Sequence, residues 1–179
     1  MANALGHFKT ITKHRRQVIK NCFKAGIGLQ GLRHDLSKFS PVEFINGAKY
    51  YDGSRSPNEH ERLDKGYSEA WMHHKGRNKH HFEYWNDYSP ILKKNSPVKM
   101  PLKYVIEMFC DRVAASKIYM GYNYTDAYPL IYFERGRDKR TIHPETSDLL
   151  EKLLTMLRDE GEEKTFNYIK NTLLKNKDY

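Results

Sequence analysis

Apolar residues recur along most of the chain at the three- and four-residue spacing of a helix and nowhere in sustained alternation, which predicts an all-α protein. Over residues 5–25, Phe8, Ile11, Val18, Cys22 and Ala25 fall on one side and Lys9, Lys13, Arg16, Lys20 and Lys24 on the other. That is an amphipathic helix with a basic outer face. Gly26, Gly28 and Gly31 interrupt it ahead of a short segment, residues 32–36, that carries His34 and Asp35. Ser40-Pro41-Val42-Glu43 then combines a Ser N-cap, Pro at the first helical position and Glu at the third. This is a capping box, and it predicts a helix from there to residue 51.

Residues 52–57 are dense in turn formers and read as a loop. The polar segment that follows is expected to be helical in two pieces over 71–85, with Gly76 at the break. Residues 86–101 hold Pro90, Pro97 and Pro101 and are expected to be irregular. The clearest buried helix covers 102–120, where Val105, Met108, Phe109, Val113, Ala115 and Ile118 recur. Helices over 125–137, 144–160 and 162–174 complete the expectation, the second starting at His143-Pro144. Tyr84, Trp85 and the series Tyr119, Tyr122, Tyr124, Tyr128 and Tyr132 are assigned to core packing in preference to stacking on a base.

Length and composition narrow the class. A chain of 179 residues, 39% hydrophobic and 30% charged, fits one compact domain over 1–179. It has no apolar run of the roughly 18 to 20 residues a membrane span needs, and its N-terminus lacks a signal-peptide pattern. No membrane and a cytoplasmic location are therefore expected. Cys22 and Cys110 are too few for a disulfide scaffold or a cysteine zinc module. Lys and Arg number 31 against 22 Asp and Glu, a net charge of +9 that favours anionic partners without choosing among phosphates, nucleotides and nucleic acid.

Candidate chemistry centres on His34-Asp35-Leu36-Ser37-Lys38. Adjacent residues at a helix end project about 100° apart, so both side chains can converge on one ion as a nitrogen and an oxygen ligand. From the dipeptide alone, a surface pair reads equally well. His14 borders the apolar stripe of the first helix and points partly inward. Asp111 has Tyr104, Met108, Ala115 and Ile118 as its helical neighbours, so its carboxylate faces apolar side chains. Burial without a cation costs several kcal/mol. Arg33, Arg112 or Lys38 can supply that cation, and a metal can do so more strongly.

His14, His34-Asp35 and Asp111, in that order in a helical chain, resemble the HD-domain superfamily of metal-dependent phosphohydrolases. His34-Asp35-Leu36-Ser37-Lys38 is similar to the HDxGK variant of two-metal members, with Ser37 where glycine is usual. The longer wording from His34 to Phe44, with His73-His74, Asn78 and His80-His81-Phe82-Glu83-Tyr84-Trp85, also resembles an uncharacterised bacterial and phage family without an established activity. The resemblance implies an HD-like helical bundle whose metal is held by His14, His34, Asp35 and Asp111, with two further histidines between the HD pair and the final Asp. His73, His74, His80 and His81 lie in that interval. His74, Asn78 and His81 share a helical face, which favours them over His73, while His80 competes. His74 and His81 can reach one centre only if the chain bends between them.

The reading that follows is a metal-dependent phosphohydrolase, a phosphodiesterase or nucleotidase acting on a nucleotide or another phosphate ester or anhydride. One or two divalent ions bind at His14, His34, Asp35, His74, His80, His81 and Asp111, and Asp35 and Lys38 serve catalysis. The donors are nitrogen and oxygen only, so Mn, Fe, Co, Ni and Zn all fit. The same ligands suit a di-iron oxygenase. A third reading is a basic protein that binds nucleic acid or a partner around a structural metal, although no nucleic-acid motif supports it.

Overall fold

The computed structural model describes residues 3–176 and 179. Helix α1 (Ala4–Ala25) starts where the Asn3 side chain accepts the Gly6 N–H at 2.8 Å and ends at Gly26. Its buried face carries His7, Ile11, His14, Val18, Asn21, Cys22 and Ala25. The predicted stripe is present except at Phe8, which is half exposed and meets Phe39 and Phe44 edge-on. A single-turn helix α2 (Gly28–Gly31) folds back onto α1, and a turn carrying His34 and Asp35 leads into a 3-10 turn, Leu36–Phe39. Helices α3 (Pro41–Tyr50), α4 (Pro57–Lys65) and α5 (Glu69–Arg77) follow and pack on one another.

A β-hairpin separates these from the second half, with β1 (Asn86–Ser89) antiparallel to β2 (Lys94–Pro97). It corrects the expectation of irregular chain over 86–101. Each strand has four residues, and Asp87, Tyr88, Lys94 and Asn95 all face solvent, so no alternation of polarity marks it. Helix α6 (Leu102–Met120) runs through the centre, followed by α7 (Tyr128–Glu134) and α8 (Pro144–Tyr168). Helix α7 is shorter than expected because Pro129 is confined to a first helical turn. The break expected between 160 and 162 is present as a kink at Gly161, whose φ of 81° only glycine adopts readily.

Helices α1, α6 and α8 enclose the core, in which Val105, Phe109, Val113, Leu150, Leu153 and Leu157 are fully buried. Asn21 on α1 donates to the Cys110 carbonyl on α6 at 3.0 Å, tying the two helices in register beside His14. The expected aromatic packing holds in part: Trp85 packs against the core and Tyr124 and Tyr128 are half-buried, whereas Tyr84 is exposed. Tyr119, Tyr122 and Tyr132 are exposed. Among the described residues, no helix is long and apolar enough to cross a membrane.

Candidate metal centre

Three packing contacts bring the chemistry together. Helix α1 against α6 sets His14 beside Asp111. The turn between α2 and α3 inserts His34 and Asp35, anchored by Arg15, whose side chain donates to the His34 carbonyl at 3.0 Å and also to that of Leu32. Helix α5 against α3 delivers the later histidines. His34 and Asp35 lie in this turn and not on a helix end, a correction to the expected placement. Asp35 has a φ of 54°, the left-handed region that costs a non-glycine residue of order 1 kcal/mol or more. That conformation turns its carboxylate inward, where it is 1% exposed.

The two carboxylate oxygens of Asp35 face two sets of donors. On one side, Oδ2 lies 3.4 Å from His34 Nε2 and 4.0 Å from His14 Nε2. Asp111 Oδ1 closes that set, 2.9 Å from His14 Nε2 and 3.6 Å from His34 Nε2. On the other side, Oδ1 lies 3.3 Å from His74 Nε2 and 3.5 Å from His80 Nε2. His81 joins through its Nε2, 2.9 Å from that of His74. His14, His34 and Asp35 form one group able to hold a metal ion, Asp35, His74, His80 and His81 a second, and His34, His80 and Glu107 a third that draws one histidine from each side. All seven expected ligands are thus brought together, and His80 and His81 belong to the same set.

The bend that makes this possible is not at Gly76, which stays helical. It falls at Asn78, which leaves the helix with φ −115° and ψ 99°. The Asn78 side chain donates to the His74 carbonyl and to Ser37 Oγ, both at 2.8 Å. The chain then turns back so that His80 and His81 meet His74.

Two buried glutamates complete the arrangement. Glu107 Oε1 accepts from His34 Nδ1 at 2.9 Å and sits 3.3 Å from His80 Nδ1. Glu43 accepts from His74 Nδ1 at 2.7 Å and from His73 Nδ1 at 2.6 Å, which directs His73 away from the centre. A carboxylate that holds Nδ1–H fixes the ring so that Nε2 faces the centre, the orientation found around protein-bound metals. Against burial, the neighbouring carboxylates raise the His34 and His74 pKa, so a metal binding there displaces an Nε2 proton. His34, Asp35, Glu43, His74, His80 and Glu107 are all buried.

The donors fit a metal by what they lack. Among the described residues, His34 Nε2, His80 Nε2 and Asp35 Oδ1 are buried polar atoms without a well-aligned hydrogen bond, and His14 Nε2 has only the Asp111 carboxylate, 2.9 Å away. Such atoms carry a desolvation cost that a cation between them removes. Two ligands of one ion, at bonds of about 2.0–2.2 Å, stand about 3 Å apart. The 2.9, 3.3, 3.4 and 3.5 Å separations around Asp35 have that spacing. Lys38 Nζ, 2.7 Å from Asp35 Oδ2, supplies a cation on one side only.

Charge follows from these neighbours. Burial works against the Asp35 carboxylate, but His34, Lys38 and His74 outweigh it and hold its pKa well below the usual range. Asp111 is held down in the same way, against burial, by His14 and His34. Burial, then the neighbouring His80 and His74, push the His81 pKa well below the usual value and keep its ring neutral, as a ligand must be. His14 is also lowered by burial.

Glu107 and Glu43 escaped sequence reasoning. Glu43 was absorbed into the capping box, which does not form: Ser40 is the N-cap but makes no side-chain cap hydrogen bond. Glu107 carried a legible signal, an acid one turn before Asp111 on an otherwise apolar helix. Burial raises the Glu107 carboxyl, yet hydrogen bonds from His34 and His80 bring it from 4.5 down to about 2. Because the folded value is the lower one, Glu107 stabilises the metal-free protein above pH 4.5, and this is lost as pH falls toward 2. Glu107→Gln is expected to flatten acid unfolding across that window and to weaken metal binding about 10–100-fold. Circular dichroism during acid titration and competition with a chelator check the two effects. Parent-like behaviour in both would detach Glu107 from the histidines.

Fold and site together define a mainly helical protein with buried histidine and carboxylate clusters that could hold a metal ion. Residues 3–156 match the model of a family of unknown function, DUF5662, and the chain belongs to that family. Comparisons with curated proteins and with solved structures gave no match.

Proposed function

We propose that the protein is a metal-dependent phosphohydrolase with an HD-like two-metal centre, acting on a phosphate ester or anhydride of a nucleotide or similar small molecule. The observation that carries this reading is Asp35. Its buried carboxylate stands between two sets of histidines, with Oδ1 unpaired and facing His74 and His80. His14, His34, Asp35 and Asp111 would hold one ion, and Asp35, His74, His80 and His81 the other. Divalent ions bound there supply Lewis-acid polarisation of phosphoryl oxygens and a water acidic enough to attack at neutral pH.

The chain's own groups set the rest. Glu107 and Glu43 fix the histidine rings, so the donor set is preorganised. Lys38 is partly exposed beside Asp35, where its ammonium stabilises charge developing on a phosphoryl oxygen. Asp35 and Asp111 outweigh burial and raise its pKa, so it remains charged. The absence of cysteine from the centre leaves Mn, Fe, Co, Ni and Zn as candidates.

Elemental analysis of protein purified without added metal, paired with phosphate release from a panel of nucleotides and cyclic nucleotides, tests the reading. Bound transition metal and chelator-sensitive release of phosphate are expected. Bound iron that responds to oxygen, without phosphate release from any member, would favour an oxygenase on the same ligands.

A further inference from the structure

Beside the Asp35 centre a cavity runs along α1, and its walls include His7, Thr10, Lys38, Tyr51, Asn58 and Tyr119. Glu43 and His74 form part of the same lining, so the cavity adjoins the candidate centre. His7 lies two turns before His14 on the same face of α1, roughly 10 Å away along the axis.

His7 is 7% exposed, and its Nδ1 has no hydrogen-bond partner among the described residues. Its ring is held in place from several sides. Phe44 and Tyr51 tilt against it at centroid distances of 5.5 and 5.7 Å, and Gly47 leaves it room: a Cβ there would come within 2.2 Å of His7 Nε2. Burial, then the Lys38 charge, lower its pKa to about 4, so the ring is neutral and presents one donor and one acceptor nitrogen. Nearby, Thr10 Oγ1 and Tyr51 Oη share a hydrogen bond of 2.6 Å and retain further capacity. Lys38 is the only Lys or Arg among the described residues lining the cavity, and Glu43 is occupied by His73 and His74.

One ammonium at the centre's end suits one phosphoryl group. Beyond it, neutral hydroxyl, amide and imidazole groups alternate with the apolar Ile11, Pro57 and Ala70, a wall that suits an uncharged ligand portion with an apolar frame and some hydroxyls. We infer that this cavity is the subsite for the hydroxyl-bearing, uncharged part of a phosphomonoester, with His7 as its specificity-determining residue. The inference rests on the phosphohydrolase reading for the position of the phosphate. His7 lines the cavity, carries an unpaired Nδ1 and shares no described hydrogen bond with the metal-ligand set.

The test uses metal-loaded full-length protein, its His7→Phe and His7→Gln variants, and three probes: ribose 5-phosphate, phenyl phosphate and inorganic phosphate. Calorimetry reads binding and phosphate release reads turnover, with metal stoichiometry and circular dichroism confirming that each variant is folded and loaded. His7→Phe is expected to weaken ribose 5-phosphate about tenfold, in Kd and in KM, while kcat and the affinity for the other two probes stay within about twofold. His7→Gln should recover most of the loss. Uniform weakening of all three probes, equal affinity of the parent for the two esters, or failure of the parent to bind ribose 5-phosphate would overturn the subsite. His7-dependent binding of ribose 5-phosphate without hydrolysis of either ester would sink the phosphohydrolase reading and leave the subsite standing. Hydrolysis of phenyl phosphate with no His7-dependent discrimination would do the reverse.

Discussion

Asp35→Ala is expected to release the metal of both proposed sites, because each loses the ligand the two have in common. Removing one carboxylate also leaves Lys38, His34 and His74 without the charge that offsets their burial. Lys38→Ala should behave differently. Its ammonium belongs to neither set of metal donors, so metal content should match the parent, while turnover falls by about 10²–10³-fold through loss of a cation facing the phosphoryl group. Elemental analysis of both variants with steady-state phosphate release gives the comparison. If the two lose metal alike, Lys38 holds Asp35 in place and has no separate role.

His74→Ala bears on nuclearity. His74 touches Asp35 Oδ1 and His81, and nothing in the set of His14, His34 and Asp111. A two-ion protein should therefore lose about one equivalent and keep the other. A one-ion protein centred on His14, His34, Asp35 and Asp111 should bind as much metal as the parent. Titration calorimetry of both proteins separates these outcomes, and an unchanged equivalent would reduce the histidine-rich segment to a wall of the site.

Much of this centre was legible in the sequence because burial and charge conflicted in plain view. His14 sat beside an apolar stripe and Asp111 among apolar helical neighbours, and both are buried or nearly so against each other, 2.9 Å apart. The expected helices over 5–25 and 102–120 correspond closely to α1 and α6, and their packing is what joins the two residues. Elements without an apolar face were harder to read. Helix α4 is not among the expected helices: it buries Glu61 and carries no apolar stripe, and its first residue, Pro57, falls in the stretch read as a loop. The hairpin is exposed on both faces and leaves no period to detect.

The outer carboxylates show a different limit. Glu43 satisfied a local rule, the capping box, so nothing suggested that a tertiary contact with His73 and His74 would claim it. A single local explanation hid a long-range one. The bend at Asn78 was hidden similarly, since Gly76 is the stronger helix breaker by propensity and Asn78 acts through its side-chain bonds to Ser37 and the His74 carbonyl.

Whether Asp35 joins two ions is read from anomalous scattering of crystals grown with manganese. Two peaks are expected on opposite sides of the Asp35 carboxylate, roughly 3.5–4 Å apart, one against His14, His34 and Asp111 and the other against His74, His80 and His81. A single peak at saturating manganese, or none within bonding distance of Asp35, would rule the bridge out.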